Sequence, residues 1–320
     1  PILLKVTTVI AAGTNNNNGH HDLASANSCC EIMTGAYLPN IYDAVIPLEQ
    51  VSIAIHDSIR YIKITAPISL YANVRFSGTD VAIGECVIKR GWQIDVANIM
   101  LLAALGISKV KVYKKISIDI ISTGEEISDN YTQPLNLGQI YNANAPLLIN
   151  LAAKEQFLAV DYLGIVKDDA KTLIELIAAS KATIIITTGA VSKGKWDFIP
   201  AMLHSMGAKT LFHNVAIRPG KPILCAHLQS GQYFFGLPGN PVSTLVGWRF
   251  FIAPFLRVIL GLPKEEKLSA SLAEDFTKKH DFYTFLKAKL EFKTTTAKIK
   301  FLPNQESYKI KELINSNSWA

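Results

Sequence analysis

The chain has 320 residues, of which 49% are hydrophobic and 18% are charged, and its formal net charge at pH 7 is +6. This composition excludes an intrinsically disordered protein, and the length predicts two or three domains, each with its own core. The lysines form no stripe with interleaved aromatic residues, so the positive charge fits a small acidic ligand as well as it fits nucleic acid.

The cysteines and the apolar stretches of the chain indicate where in the cell the protein is expected. The cysteines form no Cys-x-x-Cys pair of the kind that binds metal, and the adjacent Cys29 and Cys30 would make a strained disulfide. We therefore expect thiols of a reducing compartment, the cytoplasm. The most apolar stretch, residues 242–262, contains Trp, Arg and Pro and is not expected to span a membrane. Because the chain begins with Pro1 inside a predicted strand, we expect a native N-terminal segment before it.

The first part of the chain is predicted to hold two small domains. Residues 1–65 are β-rich, with apolar runs at residues 2–11 and 44–47. Residues 66–115 are predicted to mix strands with one short helix at 95–105, which a glycine ends.

From residue 116 the pattern changes to an alternation of strands and helices. Strands are predicted at 116–122, 157–162, 183–187 and 210–217, and helices at 144–154, 169–179 and 197–206. Such alternation is typical of βαβ units and predicts a doubly wound parallel α/β sheet over residues 116–262. The lysine-rich residues 263–320 are predicted to form a small C-terminal β domain. The fold class is therefore α/β multidomain, with β-rich domains on either side of the α/β domain.

Two proline-framed glycine turns flank a predicted hairpin of strands 223–228 and 232–236. The first turn is Pro-Gly-Lys-Pro at residues 219–222, and the second is Pro-Gly-Asn-Pro at residues 238–241. One such turn is usually only a connection between strands. Two of them beside one hairpin, with basic residues next to them, favour a binding site.

The second turn leads into a long apolar helix. Asn240 is a good N-cap residue, and proline suits the first helical position that follows it. Ser243 would lie in the first turn, where unpaired N–H groups favour a phosphate or oxyanion. Arg218 and Lys221 add positive charge on the neighbouring turn. The two turns therefore predict an anion site.

Three further loops follow predicted strands of the α/β domain. They are Ser-Thr-Gly-Glu-Glu at 122–126, the segment 164–169 and the glycine loop 188–194. Each could be an ordinary turn or helix cap. Ligands of open α/β sheets bind at the carboxyl ends of the strands, where glycine loops with carboxylates suit phosphate and Mg²⁺.

Several familiar chemistries are excluded by spacing. Residues 219–222 do not form a Walker A loop, and the glycine loop at 189–194 has one residue too many for a nucleophile elbow. The sequence contains no Gly-x-Gly-x-x-Gly and no His-Glu-x-x-His, and its seven histidines have no metal-ligand spacing.

The motifs taken together resemble the molybdopterin molybdenumtransferases, the MoeA family, which includes the E domains of gephyrin and of a plant counterpart. The resemblance begins with Ile-Met-Thr-Gly-Ala at 32–36, Leu-Pro at 38–39, and Val-Arg with Gly-Thr-Asp-Val at 74–81. It continues through the loops and turns described above to Asn-Gln-Glu-Ser at 304–307. Eight motifs in the family's order cover nearly the whole chain. An Asp-Gly-Tyr-Ala segment that the family has before them is not in this sequence.

The resemblance implies an activity in molybdenum cofactor biosynthesis. Such proteins insert molybdenum from molybdate into adenylylated molybdopterin and release AMP, with Mg²⁺ assisting. The resemblance also implies a homodimer whose site is completed by the second subunit, and a possible partnership with a molybdopterin adenylyltransferase. Neither nucleic acid nor a membrane is expected as a partner.

The resemblance assigns roles to individual residues. Catalytic roles fall to four residues: Glu126, Asp168, Asp197 and Lys221. Metal binding falls to Asp80, Glu126 and Asp168. Substrate contacts are expected from Thr34, Gly189, Ser192, Gly194, Arg218, Lys221, Pro238, Gly239, Asn240, Ser243, Lys287 and Ser307. Lys287 lies where the family has an arginine that contacts molybdate.

The sequence departs from the family pattern at a few positions. Ala190 replaces the second glycine of the Gly-Gly-Val-Ser loop, and a methyl group there would be unfavourable if the backbone needs a positive φ. Arg218 replaces a lysine, and Tyr308 follows Ser307 where a small residue is usual. The altered loop keeps open a scaffold or interaction protein with weakened activity. A second alternative, an enzyme that adenylylates molybdopterin, resembles only the α/β domain.

Overall fold

The structure, a computed structural model, describes residues 1–13, 25–167, 169–191, 198–278, 281–293 and 296–320. These residues divide into two compact units, Pro1–Lys89 and Arg90–Ala320.

The first unit is built on a four-stranded sheet. Its strands are β1 (Ile2–Ile10), β2 (Ser28–Ile32), β3 (Ser52–His56) and β4 (Ile59–Ile64), and a 3₁₀ turn spans Leu48–Gln50. The order across the sheet is β2-β1-β4-β3, with β1 and β2 parallel and the other pairs antiparallel. Asp57 and Ser58, between β3 and β4, have φ angles of 49° and 62°. A two-residue loop with both φ values positive is the turn that matches the twist of a hairpin.

The apolar run at residues 44–47 lies in a connection, in which the Val45 N–H donates to the Ala72 carbonyl at 2.9 Å. One expectation for the N-terminal part is wrong. Residues 66–115, all of which the structure describes, contain one helix and no strand. Positive φ angles at Tyr71, Asn73 and Gly78 explain the difference, because they turn the backbone out of the extended conformation that a strand requires.

The second unit carries the predicted α/β sheet. After α1 (Val96–Ala104), the chain forms β5 (Ile116–Thr123), β6 (Ile127–Ser128), β7 (Ile140–Tyr141), α2 (Asn144–Ala153), β8 (Leu158–Val166), α3 (Ala170–Ala179), β9 (Ile184–Thr188), α4 (Ile199–Ser205), β10 (Lys209–His213), β11 (Ile217–Arg218), β12 (Leu224–His227) and β13 (Tyr233–Leu237). The sheet order is β10-β12-β13-β9-β5-β8. Strands β13, β9, β5 and β8 are parallel, whereas β10, β12 and β13 pair antiparallel, which confirms the hairpin between the two proline turns.

Helices cover both faces of this sheet, as the doubly wound prediction requires. Alternate residues of one strand enter opposite cores: Ile184 and Ile186 of β9 pack with α2, while Ile185 between them packs with α3 and α4. Strands buried on both faces read as continuous apolar runs, which is why the alternation was visible in the sequence.

A long helical segment follows β13. It consists of α5 (Pro241–Gly247), a π-helical turn (Trp248–Ile252) and α6 (Ala253–Ile259). Pro254 lies at the start of α6, and its missing N–H accounts for the local change in hydrogen bonding. By length and composition the segment Pro241–Ile259 could cross a membrane. Here Val246, Ile252 and Leu256 on it pack in the core of the α/β sheet.

The C-terminal part is β-rich, as predicted. Its strands are β14 (Ser271–Leu272), β15 (Tyr283–Thr284), β16 (Lys287–Lys293), β17 (Thr296–Phe301) and β18 (Ser318–Trp319), with a 3₁₀ turn at Lys311–Ile314. Four of these strands form a sheet in the order β14-β17-β16-β18. Strand β15 instead pairs in parallel with β11, which joins the C-terminal segment to the first proline turn.

Candidate active site

A cavity of about 1380 Å³ lies in the second unit beside the two proline turns. Its walls come from residues 217–222, from Pro238, Asn240 and Ser243, from Lys278 and several residues of 281–286, and from residues 304–308. Six residues that the sequence predicts as substrate-binding line it: Arg218, Lys221, Pro238, Asn240, Ser243 and Ser307. The structure thus brings Arg218 and Ser307, which are distant in the sequence, to one cavity.

Backbone hydrogen bonds fix the wall that carries Arg218. Strand β11 pairs with β15, so that Arg218 lies opposite Thr284. The Phe285 N–H donates to the Arg218 carbonyl at 2.8 Å. The guanidinium of Arg218 therefore extends from a backbone that two segments hold in place.

The charges around the cavity are unequal. Arg218, Lys221 and Lys278 supply three cations, and Asp281 and Glu306 supply two anions. A backbone hydrogen bond and the side chain of Lys309 lower the pKa of Glu306, so its carboxylate is ionised at neutral pH. The remaining positive charge favours an anionic ligand, since an oxyanion gains charge-assisted hydrogen bonds from lysine and arginine.

The start of α5 confirms the sequence-based prediction, with Asn240 at the N-cap and Pro241 at the first helical position. The side chain of Asn240 itself makes no capping hydrogen bond. Instead, the Val242 N–H donates to the Ser307 carbonyl at 3.1 Å, and the Thr244 hydroxyl donates to the Pro238 carbonyl at 2.7 Å. One N–H group of the first turn is therefore already satisfied by the chain. Ser243 is only 4% exposed and borders the cavity.

Lys287 is not among the residues that line the cavity. Its side chain is fully buried, and its Nζ donates to the carbonyls of Asn304, Glu306 and Lys309 at 2.6, 3.4 and 2.9 Å. Burial lowers the pKa of Lys287, while the nearby carboxylates of Glu306 and Glu312 act in the opposite direction. The structure therefore does not support direct contact between Lys287 and a ligand in the cavity.

Close backbone approaches bring two glycine loops together at the carboxyl end of the sheet. The Gly189 N–H donates to the Leu237 carbonyl at 2.9 Å. A Cβ atom on Gly189 would lie 2.5 Å from the Thr123 carbonyl oxygen, so a side chain does not fit there. Asn144, at the start of α2, donates its amide to the Gly239 carbonyl at 2.7 Å. The turn with Gly239 is thus held against the loops that follow β5 and β9.

Buried polar atoms without partners lie at the start of α2 and at the end of β9. Asn144 Oδ1, Thr187 Oγ1 and Thr188 Oγ1 are buried, and within the described parts of the chain they have no hydrogen-bond partner. Such groups are rare in native proteins and usually meet water or a ligand.

A hydrogen-bond network centred on Asn142 stabilises this edge of the sheet. The amide nitrogen of Asn142 lies 2.9 Å from Ser122 Oγ, 2.8 Å from Asp129 Oδ1 and 3.0 Å from the Tyr162 hydroxyl. The Tyr162 hydroxyl donates to Asp129, and burial followed by this hydrogen bond raises the pKa of Tyr162. Asn142 Oδ1 accepts from the Ala145 N–H and so holds the start of α2. This network has no local signal in the sequence, because its members come from separate segments.

The altered loop residue Ala190 has a left-handed backbone, with φ of 51°. The conformation that makes glycine favourable is therefore present, and alanine adopts it at a cost. The adjacent Val191 is buried in the core beside the sheet.

Glu126 is not among the residues that line the cavity. It is exposed after β5, and its carboxylate folds over Gly124. Thr34 and Asp80 are exposed in the first unit, where Asp80 lies 3.6 Å from Arg75. Four predicted residues lie outside the described part of the chain: Asp168, Ser192, Gly194 and Asp197.

Several residues of the cavity wall were not predicted as site residues, among them Lys278, Asp281 and Phe282. These three belong to a polar segment with neither strand nor helix periodicity. Its only signal in the sequence is the local density of lysine.

The comparisons with known proteins agree with the architecture. Residues 5–106 match the family described as the MoeA N-terminal region (domain I and II), and residues 119–258 match a probable molybdopterin binding domain. A molybdopterin molybdenumtransferase of Synechococcus elongatus is 34% identical over 298 residues, which are 91% of this chain and 71% of that protein. The chain belongs to the molybdopterin molybdenumtransferase (MoeA) family.

Two other proteins named for molybdopterin biosynthesis or molybdenum transfer are also similar to this chain. A molybdopterin molybdenumtransferase of Staphylococcus aureus is 36% identical over 271 residues, and the match covers 83% of this chain and 63% of that relative. The match to a crystal structure of a molybdopterin biosynthesis MoeA protein from a Pyrococcus species has a TM-score of 0.76 at 28% identity. It covers 100% of this chain and 76% of the other. The predicted family and fold class are thus confirmed.

Proposed function

We propose that this protein inserts molybdenum from molybdate into adenylylated molybdopterin and releases AMP, as a transferase of molybdenum cofactor biosynthesis. The observation that carries the proposal is the positively charged cavity between the proline turns, in a chain whose relatives bear the name molybdopterin molybdenumtransferase. Both substrates are anions, and a cavity with an excess of lysine and arginine suits them.

The roles within the cavity follow from the chemistry of the side chains. Arg218 and Lys221 hold the oxyanion through charge-assisted hydrogen bonds. The hydroxyls of Ser243 and Ser307 donate to its remaining oxygens. The dithiolene sulfurs of the pterin supply the soft ligands that molybdenum takes up, so the protein needs no cysteine or histidine cluster.

The adenylate part of the substrate suits the neighbouring edge of the sheet. Gly189 and Gly239 let a pyrophosphate approach the backbone closely, because neither carries a side chain. The unpartnered atoms of Asn144 and Thr188 supply polar groups for a bound nucleotide or pterin. Gly194 and Ser192 extend the same loop in the sequence and are proposed to share this role.

The donor set fits Mg²⁺ only as an ion shared with the substrate. The described parts of the chain hold no cluster of three His, Cys, Asp or Glu side chains. Mg²⁺ is commonly held by one or two carboxylates together with substrate phosphates. Glu126 is such a carboxylate, and Asp80, Asp168 and Asp197 are proposed as further acidic residues. When bound, Mg²⁺ would neutralise charge on the pyrophosphate.

We further propose a cytoplasmic homodimer, in which the second subunit completes the site, and a molybdopterin adenylyltransferase as a possible partner. A stable dimer of this size should bury more than about 1,000 Å². Sedimentation of the full-length protein at micromolar concentration should show the dimer, and a monomer would contradict it.

The test of the function is a single incubation. Purified full-length protein is mixed with adenylylated molybdopterin, Mg²⁺ and molybdate, and AMP is measured. AMP release that depends on molybdate is the expected result. No release, or release that is the same without molybdate, would overturn the proposal.

Two alternatives give different results in the same experiment. A scaffold without activity would release no AMP, and the names of the relatives do not support that role. An adenylyltransferase would form adenylylated molybdopterin from ATP and molybdopterin. The match of residues 5–106 to the MoeA N-terminal region argues against it, because the resemblance to adenylyltransferases is confined to the α/β domain.

A further inference from the structure

Lys287 is the one charged residue among the largest fully buried side chains of the described chain. Removing an ammonium group from water costs free energy unless hydrogen bonds or an opposite charge compensate. No carboxylate lies within ion-pair distance of its Nζ among the described residues. Three backbone carbonyls compensate instead, one for each proton of the ammonium group.

These carbonyls all belong to one turn, residues 304–309, which contains Ser307. The backbone of Lys287 also makes two hydrogen bonds to this turn. Its N–H donates to Gln305 Oε1 at 2.9 Å, and its carbonyl accepts from Gln305 Nε2 at 2.9 Å. Asn304 has a φ of 58°, so the turn begins in a left-handed conformation that these hydrogen bonds stabilise.

The 304–309 turn and the segment that precedes Lys287 each make a hydrogen bond next to one of the two proline turns. The Ser307 carbonyl accepts the Val242 N–H at the start of α5, next to the second proline turn. Two residues before Lys287, the Phe285 N–H donates to the carbonyl of Arg218, next to the first. Lys287 therefore lies where the segments that carry Arg218 and Ser307 meet.

We propose that Lys287 is a positioning residue, whose ammonium group fixes the 304–309 turn and so holds Ser307 at the wall of the cavity without contacting the bound anion. This inference rests on the proposed function, since it gives the cavity to molybdate and the substrate. All three protons of the Lys287 ammonium group are already donated to carbonyls, which leaves none for a ligand. The lowered pKa of Lys287 agrees with a group that is desolvated inside the protein.

The test compares Lys287→Met, which removes the donors at similar length, with Lys287→Arg, which keeps a cation. Lys289→Met is the control, because Lys289 lies on the same strand with its side chain 52% exposed and paired with Glu291. The first readout is hydrogen exchange of the Val242 amide, whose acceptor is the Ser307 carbonyl. We expect exchange to be at least about tenfold faster in Lys287→Met and close to wild type in the other two variants.

The second readout separates binding from chemistry. The KM for molybdate should rise about tenfold in Lys287→Met, with kcat changed much less, and Lys287→Arg should restore it. Wild-type exchange at Val242 together with a wild-type KM would overturn the proposal. Wild-type exchange with a loss of kcat would overturn it too, since that result indicates direct contact.

The two proposals can fail separately. If the wild-type protein releases no AMP, the proposed function fails, while hydrogen exchange still tests the position of the turn. If Lys287→Met does not fold, Lys287→Gln keeps two N–H donors on a shorter side chain and should show the same changes at smaller size. Unchanged exchange at Val242 in Lys287→Gln would then overturn the positioning role.

Discussion

The ammonium group of Lys221 lies over the ring of Phe282, with Nζ 5.4 Å from the ring centroid. This cation–π contact joins the first proline turn to a C-terminal wall of the cavity. Prolines on both sides of the Gly-Lys pair restrict the backbone of the turn. The side chain of Lys221 therefore loses little further entropy when an anion binds.

Lys221→Ala should weaken the binding of molybdate or of the adenylylated substrate. Loss of one charge-assisted hydrogen bond corresponds to about 1.5–3 kcal/mol, or roughly tenfold to a hundredfold in affinity. The free energy of unfolding should change little, because Lys221 is exposed and supports no core. Titration calorimetry with each ligand and urea unfolding measure the two quantities.

Lys264→Ala is the matched control, since Lys264 is also exposed but lies outside the cavity wall. It should leave both the affinity and the stability unchanged. Equal ligand affinity of the two variants would show that residues 219–222 are only a connecting turn.

Gly189→Ala should destabilise the protein by about 1–3 kcal/mol. The new methyl group would lie 2.5 Å from the Thr123 carbonyl oxygen, and the backbone φ of 101° is unfavourable for any L-residue with a side chain. Gly239→Ala is the control, because its nearest neighbour would be at 3.8 Å, an ordinary contact distance. Urea unfolding of both variants checks the difference, and equal stabilities would contradict the proposed close approach.

The acid stability of the protein should depend on Asp169, the N-cap of α3. Its carboxylate accepts hydrogen bonds from the Thr172 hydroxyl and the Lys171 N–H, and these lower its pKa below the ordinary value of 3.8. Because the folded pKa is depressed, this stabilisation is present above pH 3.8 and is lost as the pH falls through the folded pKa. Asp169→Asn keeps a capping side chain without the titration, so its thermal midpoint should fall less steeply below about pH 4.

Glu175→Gln is the control for this experiment. It removes a carboxylate from the exposed side of the same helix and leaves the cap intact. Its pH profile should follow that of the wild type. A profile of Asp169→Asn that is as steep as the wild type in acid would contradict the role of the cap.

The α/β sheet could be predicted from the sequence because its signals are local. Strand β5 was predicted at residues 116–122 and spans Ile116–Thr123, since buried strands read as apolar runs and glycines or caps end them. Helix α3 was likewise predicted to begin at Asp169, which is its N-cap residue in the structure. The order of the motifs predicted the family, and the similarity to the Synechococcus relative confirmed that prediction.

The hydrogen bonds that hold the walls of the cavity could not be predicted from the sequence, because they join residues that are distant in the chain. A lysine in a strand is expected to be solvated, and nothing near Lys287 in the sequence indicates the carbonyls of residues 304–309 that bury it. The same holds for Asn142, whose partners come from three other segments. At the start of α5 the local signal of Asn240 predicted the N-cap position, but not the long-range hydrogen bond from the Val242 N–H to the Ser307 carbonyl.

Ala190→Gly should stabilise the protein. Alanine at φ of 51° costs about 1 kcal/mol relative to a residue without a Cβ atom, and the extra freedom of glycine in the unfolded chain offsets part of this gain. We therefore expect a net increase in the free energy of unfolding of roughly 0.5 kcal/mol, measured by urea titration. Ala178→Gly, at an exposed position in α3, should have the opposite sign and lose about 0.5–1 kcal/mol. If both variants lose stability equally, the left-handed backbone at Ala190 is not a source of strain, and the departure from the family's second glycine has no energetic cost.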